Sequence, residues 1–195
     1  MIDIDFQKLW EQLTNYLTDF AKNYGYLGLF VVVLLCDASI ILPLPGYAVI
    51  IALSSVLNPI HVAVVSAIAG TIGEFTAYFL GLGTKHLTRL ETERMRELFE
   101  KYGLWIIYVF ACTPLPFDLI SIFCGFVGVN PAIYALLTLM GKFTLYAVLA
   151  YQGKTLFDLV TQISEGQINV YTVLLLSFLI AIIVISIYIA KRLYK

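Results

Sequence analysis

The sequence predicts an all-α integral membrane protein built as an inverted repeat. Each half is a re-entrant hairpin followed by a transmembrane helix, with an amphipathic helix before the repeat and a further transmembrane helix after it. Three observations predict this architecture. Of 195 residues, 61% are hydrophobic and 13% charged, with a mean hydropathy of +0.90, against roughly 25% charged residues in an ordinary soluble domain. The tripeptide Pro43-Leu44-Pro45 recurs as Pro114-Leu115-Pro116, each copy inside an apolar stretch. Helix breaks in corresponding positions of two halves are how many transporters build a substrate site near the bilayer midplane. Finally, the tripeptides belong to a longer repeat: Pro43 to Pro114 is 71 residues, Asn58-Pro59 to Asn130-Pro131 is 72, and Gly70 to Gly141 is 71. Upstream, Tyr24-Gly25 answers Tyr102-Gly103 at 78 residues, so the first half carries about two extra helical turns before its prolines.

Taken in order, residues 1–24 form an amphipathic helix. Phe6, Leu9, Trp10, Leu13, Leu17 and Phe20 recur at helical spacing while Asp5, Lys8, Glu11, Gln12, Asn15 and Asp19 fill the other face. Such a helix is too polar to span. It lies in the membrane interface or packs against the protein's own helices, and both readings stay open. Residues 26–57 are apolar for 32 positions. A straight helix of that length reaches roughly 48 Å, well past a hydrocarbon core of about 30 Å, whereas two full spans need roughly 40 residues. The length suits a hairpin that enters, breaks between Pro43 and Gly46, and returns. Residues 60–83 then read as one span, and 84–103 as a charged connector of mixed sign.

Length cannot classify residues 104–129, which suit either a single tilted helix or a second hairpin. Charge decides. Lys and Arg concentrate in the connector and in the tail 191–195, with Lys191, Arg192 and Lys195, so both are expected on the cytoplasmic side. Between them lie two clear spans, 131–152 and 170–190, separated by a polar outer loop at 153–169. Only a re-entrant 104–129 leaves both basic regions on one face. The same reasoning puts Asn58-Pro59 outside and Asn130-Pro131 inside, so the two copies run through the bilayer in opposite senses, with the C-terminus cytoplasmic.

Other features exclude function classes. A net charge of −1 argues neither for nor against an acidic partner, but the lack of a basic run argues against nucleic-acid binding. The acidic start Met-Ile-Asp-Ile-Asp is unlike a signal peptide. Cys36, Cys112 and Cys124 lie in apolar stretches without a CxxC and read as inert buried thiols. The sequence carries no Ser/His/Asp grouping, no paired-acid motif and no phosphate-cradling glycine loop, so it predicts no enzyme, no cofactor and no metal site.

Four ionisable residues fall at membrane depth: Asp37, Glu74, Asp118 and Lys142. Each costs about 2.5 to 3.5 kcal/mol at the centre of a span. That cost points to use, with Asp37, Glu74 and Asp118 as proton-coupling groups and Lys142 as the cation of a shared polar cavity. The plainer readings are that Asp118 caps a half-helix and that Lys142 merely neutralises one carboxylate. Glu74 is hardest to dismiss, because Gly70, Gly73, Ala77 and Gly81 form a small-residue face beside it where another backbone can approach. His61 reads as interfacial and His86 as solvated.

The string from Gly70 through Gly73-Glu74 and Tyr78 to Gly81 resembles the glycine, acid, tyrosine, glycine signature of the DedA family, whose domain is also called the VTT or SNARE-associated domain. Asp37 with Pro43-Leu44-Pro45-Gly46 resembles that family's first hairpin, and Pro114 to Gly125 its second. The likeness covers roughly residues 25–153. It implies two re-entrant hairpins, movement of a polyprenyl phosphate or phospholipid head group between leaflets by a flippase or scramblase, and proton dependence. Two departures stand out. Cys112-Thr113 and Asp118 flank the second proline motif where the family's common form has arginines, and Tyr47 replaces the acid beyond the first Pro-Gly.

Without those arginines, an anionic head group is expected to meet Lys142, with Gly46, Thr113 and Tyr78 as further binding residues and Pro43, Pro45, Pro114 and Pro116 breaking the hairpins. Backbone amides at the half-helix starts after Pro45 and Pro116 favour negative charge. The expected partners are a membrane lipid and protons, with homo-oligomerisation left open and the cell membrane as the location. A proton-coupled carrier of a small ion or solute is the alternative, since three acids against one lysine suit a cation.

Overall fold

A computed structural model of the chain describes residues 6–40, 45–84, 104–114 and 117–164. The described residues form six helices and no strand: α1 (Phe6–Ala38), α2 (Gly46–Ser54), α3 (Pro59–Thr84), α4 (Trp105–Ala111), α5 (Asp118–Val127) and α6 (Pro131–Ser164). The expected breaks Pro43 and Pro116, the connector from residue 85, the span 170–190 and the basic tail lie outside the described residues. Three stretches are long and apolar enough to cross a membrane: Trp10–Ala38, Pro59–Thr84 and Pro131–Thr161. Helices suit this setting because every backbone group is paired within its own segment. Ile72, Phe79 and Met140 point outward from these helices, as lipid-facing side chains do.

Helix α1 is interrupted at Gly25, where φ is 59° and ψ −132°, a conformation that side chains with a Cβ avoid. The break separates Phe6–Tyr24 from an arm of about 20 Å, residues 26–38. Helix α2, about 14 Å long, packs on α1 and α3. In the second copy, residues 104–129 do not form one tilted helix: α4 ends at Ala111 and α5 begins at Asp118. Residues 26–38 of α1 and helices α2, α4 and α5 are each shorter than the roughly 30 Å of a hydrocarbon core.

Both α3 and α6 begin with Asn-Pro. Asn58 Oδ1 accepts the Ile60 amide at 3.0 Å, and Asn130 Oδ1 accepts the Ala132 amide at 2.8 Å, so each asparagine caps its helix while proline occupies the first turn. Asn58→Ala and Asn130→Ala are each expected to lower stability by about 1 kcal/mol, read as reduced thermal-unfolding midpoints in detergent. The turn into α6 is set by Gly128, with φ 80°, where the Val129 amide bonds Cys124 O at 2.9 Å, a left-handed helix cap. Helix α6 runs past the expected boundary at 152 to Ser164. The segment after Gln152 contains no proline, and its Leu156, Phe157 and Val160 keep helical spacing.

Lipid tails provide no hydrophobic drive between helices, so association depends on close packing at small residues. A Cβ on Gly81 of α3 would collide with the Ile122 backbone of α5, and one on Gly153 of α6 would meet Ile51 O of α2 at 2.5 Å. Gly81 and Gly153 are 72 residues apart, Ile51 and Ile122 are 71, the same offsets that separate the paired sequence landmarks. Two apolar clusters result. One joins α1, α2 and the first half of α3 to Leu145, Tyr146 and Ala150 of α6. The other joins Tyr78 of α3, Ile107 and Ala111 of α4, Phe117 and Cys124 beside and within α5, and Tyr134 of α6. Helix α3 passes from the first cluster to the second, α6 from the second to the first. The chain through Lys154 forms one compact unit, and Thr155–Ser164 belong to another.

Candidate functional site

Where α3 and α6 change clusters, three of the four membrane-depth charges meet. Asp37, one residue before the end of α1, faces Lys142 with Oδ2 at 3.0 Å from Nζ. Glu74, midway along α3, faces the same ammonium with Oε1 at 2.9 Å. Tyr146, one turn beyond Lys142 on α6, donates its hydroxyl to Asp37 Oδ2 at 2.6 Å and stands 3.4 Å from Nζ. An ammonium has three protons, and these three oxygens take all of them. The Phe117 and Tyr146 rings lie with centroids 5.7 Å from Nζ, within range of a cation–π interaction.

Glycines permit this convergence. A Cβ on Gly70 would strike the Asp37 carboxylate and approach Lys142 Cδ and Tyr146 OH at 3.0 Å. One on Gly73 would stand 2.7 Å from Leu34 O and 2.9 Å from the Ala38 amide nitrogen. Helix α1 can therefore press its last turn onto α3 only at these positions, which aims Asp37 at the ammonium. Thr76 then donates to Ala38 O at 3.1 Å, satisfying a carbonyl that the end of α1 leaves open.

The second oxygen of Glu74 begins another chain. Ser121 of α5 donates to Glu74 Oε2 at 2.7 Å, and Tyr134 of α6 donates to Ser121 Oγ at 2.8 Å. A continuous polar path thus runs from Tyr146 through Asp37, Lys142, Glu74 and Ser121 to Tyr134, linking the two apolar clusters. The Lys142 and Glu74 side chains are 5% and 4% exposed, that of Asp37 15%, so the path opens most at Asp37. Two carboxylates share one ammonium. Buried charges of this kind persist only with good geometry and fully used hydrogen bonds.

The other residues expected at the site stand apart from this path. Asp118 is the half-buried first residue of α5 and makes no ion pair with a described residue, although Lys142 and Asp37 are near enough to act on it electrostatically. An acid in a helix's first turn complements the dipole. Thr113 donates to Phe110 O at 2.8 Å at the end of α4. Tyr78 donates to Val129 O at 2.5 Å and stacks on Tyr134, ring centroids 4.8 Å apart, so its hydroxyl secures the turn between α5 and α6. Gly46 starts α2 against Cys36, whose Cβ would lie 3.1 Å from an added methyl. Pro45 is buried before α2, and Pro114 is exposed after α4.

Ser121, Tyr134 and Tyr146 were not legible as site residues. Tyr146 alone carried a signal, the i, i+4 spacing from Lys142 on one helix face. Among the described residues, no cluster of three or more His, Cys, Asp or Glu side chains is arranged to hold a metal.

Helices of this length and apolarity around a buried, fully bonded ion-pair network define a multi-pass membrane protein with an intramembrane polar site. Residues 44–155 match the VTT domain, and the chain belongs to that family, the DedA family. It is similar to undecaprenyl phosphate transporter A of Staphylococcus aureus (strain NCTC 8325 / PS 47), 24% identical over 195 residues that cover 90% of this chain and 96% of that protein. No solved structure matches the chain.

Proposed function

We propose that this chain is a transporter that moves a lipid phosphate, of the polyprenyl-phosphate or phospholipid class, between membrane leaflets, linked to protons. One observation carries the reading: Lys142 is buried where the two apolar clusters join, with acids from α1 and α3 on its ammonium. The similarity to a protein named for undecaprenyl phosphate transport supports a lipid carrier as cargo.

In this reading the arms α1–α2 and α4–α5 are re-entrant hairpins of an inverted repeat, with the Asn58 loop outside, the Asn130 loop inside and the C-terminus cytoplasmic. The arms' short lengths, the reciprocal passage of α3 and α6 between clusters, and the corresponding Gly81–Ile122 and Gly153–Ile51 crossings support it. The lipid tails stay in the bilayer while the head group passes the site.

All three ammonium protons of Lys142 are taken, so an incoming phosphate has to displace one of the three oxygens, and full charge pairing with it requires a carboxylate to be neutralised. A proton arriving from outside neutralises Glu74 or Asp37, the phosphate replaces it on Lys142, and loss of the proton inside returns the carboxylate and expels the head group. Helix α2 has no acid in its first turn, so its amides add a favourable dipole, whereas Asp118 opposes an anion at α5 unless protonated.

The test is translocation in proteoliposomes of a labelled polyprenyl phosphate against the uncharged polyprenol. The proposal expects transport of the phosphate alone, with a rate that depends on a pH gradient; equal rates for both lipids, or no pH dependence, contradict it. The excess of acids over lysine favours one second reading, a proton-coupled carrier for a small cation. Competition separates the two: a small cation that blocks lipid-phosphate binding without being transported supports the lipid reading, and its accumulation in the vesicles supports the second.

A further inference from the structure

Asp37 and Glu74 hold the same ammonium, but their remaining contacts differ in kind. Asp37 Oδ2 receives two donors, Tyr146 OH at 2.6 Å and Lys142 Nζ at 3.0 Å. Tyr146 already accepts from Lys142, and among the described residues its hydroxyl has no second acceptor to turn its proton to. Glu74 Oε1 faces Lys142, but Oε2 meets a serine hydroxyl at 2.7 Å. A hydroxyl has one proton, two lone pairs and a free rotor.

Ser121 has two acceptors within reach of its proton: Glu74 Oε2, and Phe117 O one turn back on its own chain at 3.2 Å. It also accepts the Tyr134 hydroxyl at 2.8 Å. With Glu74 ionised, Ser121 accepts from Tyr134 and donates to the carboxylate. With a proton on Oε2, the acid donates to the second lone pair of Ser121, whose own proton turns to Phe117 O. Every group stays bonded in both states, and an unmet buried polar group would otherwise cost about 1 to 3 kcal/mol.

We propose that Glu74 is the carboxyl that gains and loses the proton, with Ser121 as the positioning residue whose hydroxyl reverses its donor role to accommodate it, and Asp37 as the standing counter-ion of Lys142. Lys142 from α6 and Ser121 from α5 touch Glu74 directly, and Tyr134 from α6, Asp37 from α1 and Tyr47 from α2 are near enough to act on it electrostatically. Lys142 alone among them is a cation. Protonating Glu74 leaves the ammonium paired one to one with Asp37 and loosens one of its three protons toward a new acceptor. The use of that freed proton rests on the transport reading above; the protonation itself does not.

The experiment is an infrared titration of the carboxylic-acid C=O band of the purified chain in lipid nanodiscs, with no substrate present. Glu74→Gln is expected to remove a pH-dependent band that Asp37→Asn retains. Ser121→Ala is expected to raise the band's frequency and displace its midpoint by about one pH unit, the equivalent of a hydrogen bond to a charged group. Ser121→Thr, which keeps a hydroxyl, is expected to restore both. Should Ser121→Ala fail to fold, Tyr134→Phe removes the donor to Ser121 and is expected to shift the same band. A band lost in Asp37→Asn but kept in Glu74→Gln, or one indifferent to both Ser121→Ala and Tyr134→Phe, overturns the assignment. Translocation measured on the same preparations tests the transport reading separately.

Discussion

Lys142→Met is expected to lower translocation of a lipid phosphate by more than tenfold and to destabilise the protein. The substitution leaves the Asp37 and Glu74 carboxylates facing the space one ammonium had occupied, with side chains only 15% and 4% exposed. Removing one partner of a buried ion pair typically costs about 3–5 kcal/mol, because the charge left behind has no compensation. The unfolding midpoint in detergent is therefore expected to drop sharply. The double variant Lys142→Met with Glu74→Gln is expected to recover part of that stability, since it removes one stranded charge, yet to recover no transport. Double-mutant coupling of this kind separates the ion pair's structural contribution from its use. Transport by Lys142→Met at the unmodified rate would exclude the ammonium as the phosphate's partner.

The second large effect concerns packing. Gly81→Ala is expected to destabilise the chain by about 1–3 kcal/mol or more, because the added methyl would enter the Ile122 backbone of α5. The crossing is reciprocal: a Cβ on Gly125 would strike Tyr78 O and stand 2.8 Å from the Leu82 amide nitrogen. Neither contact is the tip of a flexible side chain, so α3 and α5 have to separate. Separation moves Ser121 away from Glu74 and breaks the chain to Tyr134. Gly83 is the internal control. Two residues further along α3, it has nothing within 4 Å of an added Cβ, and Gly83→Ala is expected to be neutral or to gain up to about 1 kcal/mol of helix propensity. Equal effects of the two substitutions on thermal unfolding would remove the tight crossing from the account.

The sequence made the long helices legible because their ends are punctuated. Asn58-Pro59 and Asn130-Pro131 announce the starts of α3 and α6, and apolar runs carry the rest. The far end of α6 was not legible, since Lys154, Asp158 and Gln162 suggest a loop while the apolar residues between them keep a helical period. Asp37, Glu74 and Lys142 were legible through the cost of charge in an apolar chain, and the structure brings those three together. Ser121 and Tyr134 were not, because hydroxyls cost little in a membrane helix and Ser121's contact with Glu74 depends on the register of α5 against α3. Tyr78 illustrates the converse. It stands in the family signature, but its hydroxyl is bound to the Val129 carbonyl, a role that only the position of the turn after α5 reveals.

The central proposal is that two broken hairpins enter from opposite faces of the membrane around one polar site, and side-specific cysteine labelling tests it most directly. In a background with Cys36, Cys112 and Cys124 replaced, Val56→Cys between α2 and α3 and Ala132→Cys at the start of α6 are exposed positions at corresponding turns of the two halves. A membrane-impermeant maleimide is predicted to label Val56→Cys only from outside and Ala132→Cys only from inside. Labelling of both from the same face would contradict the account.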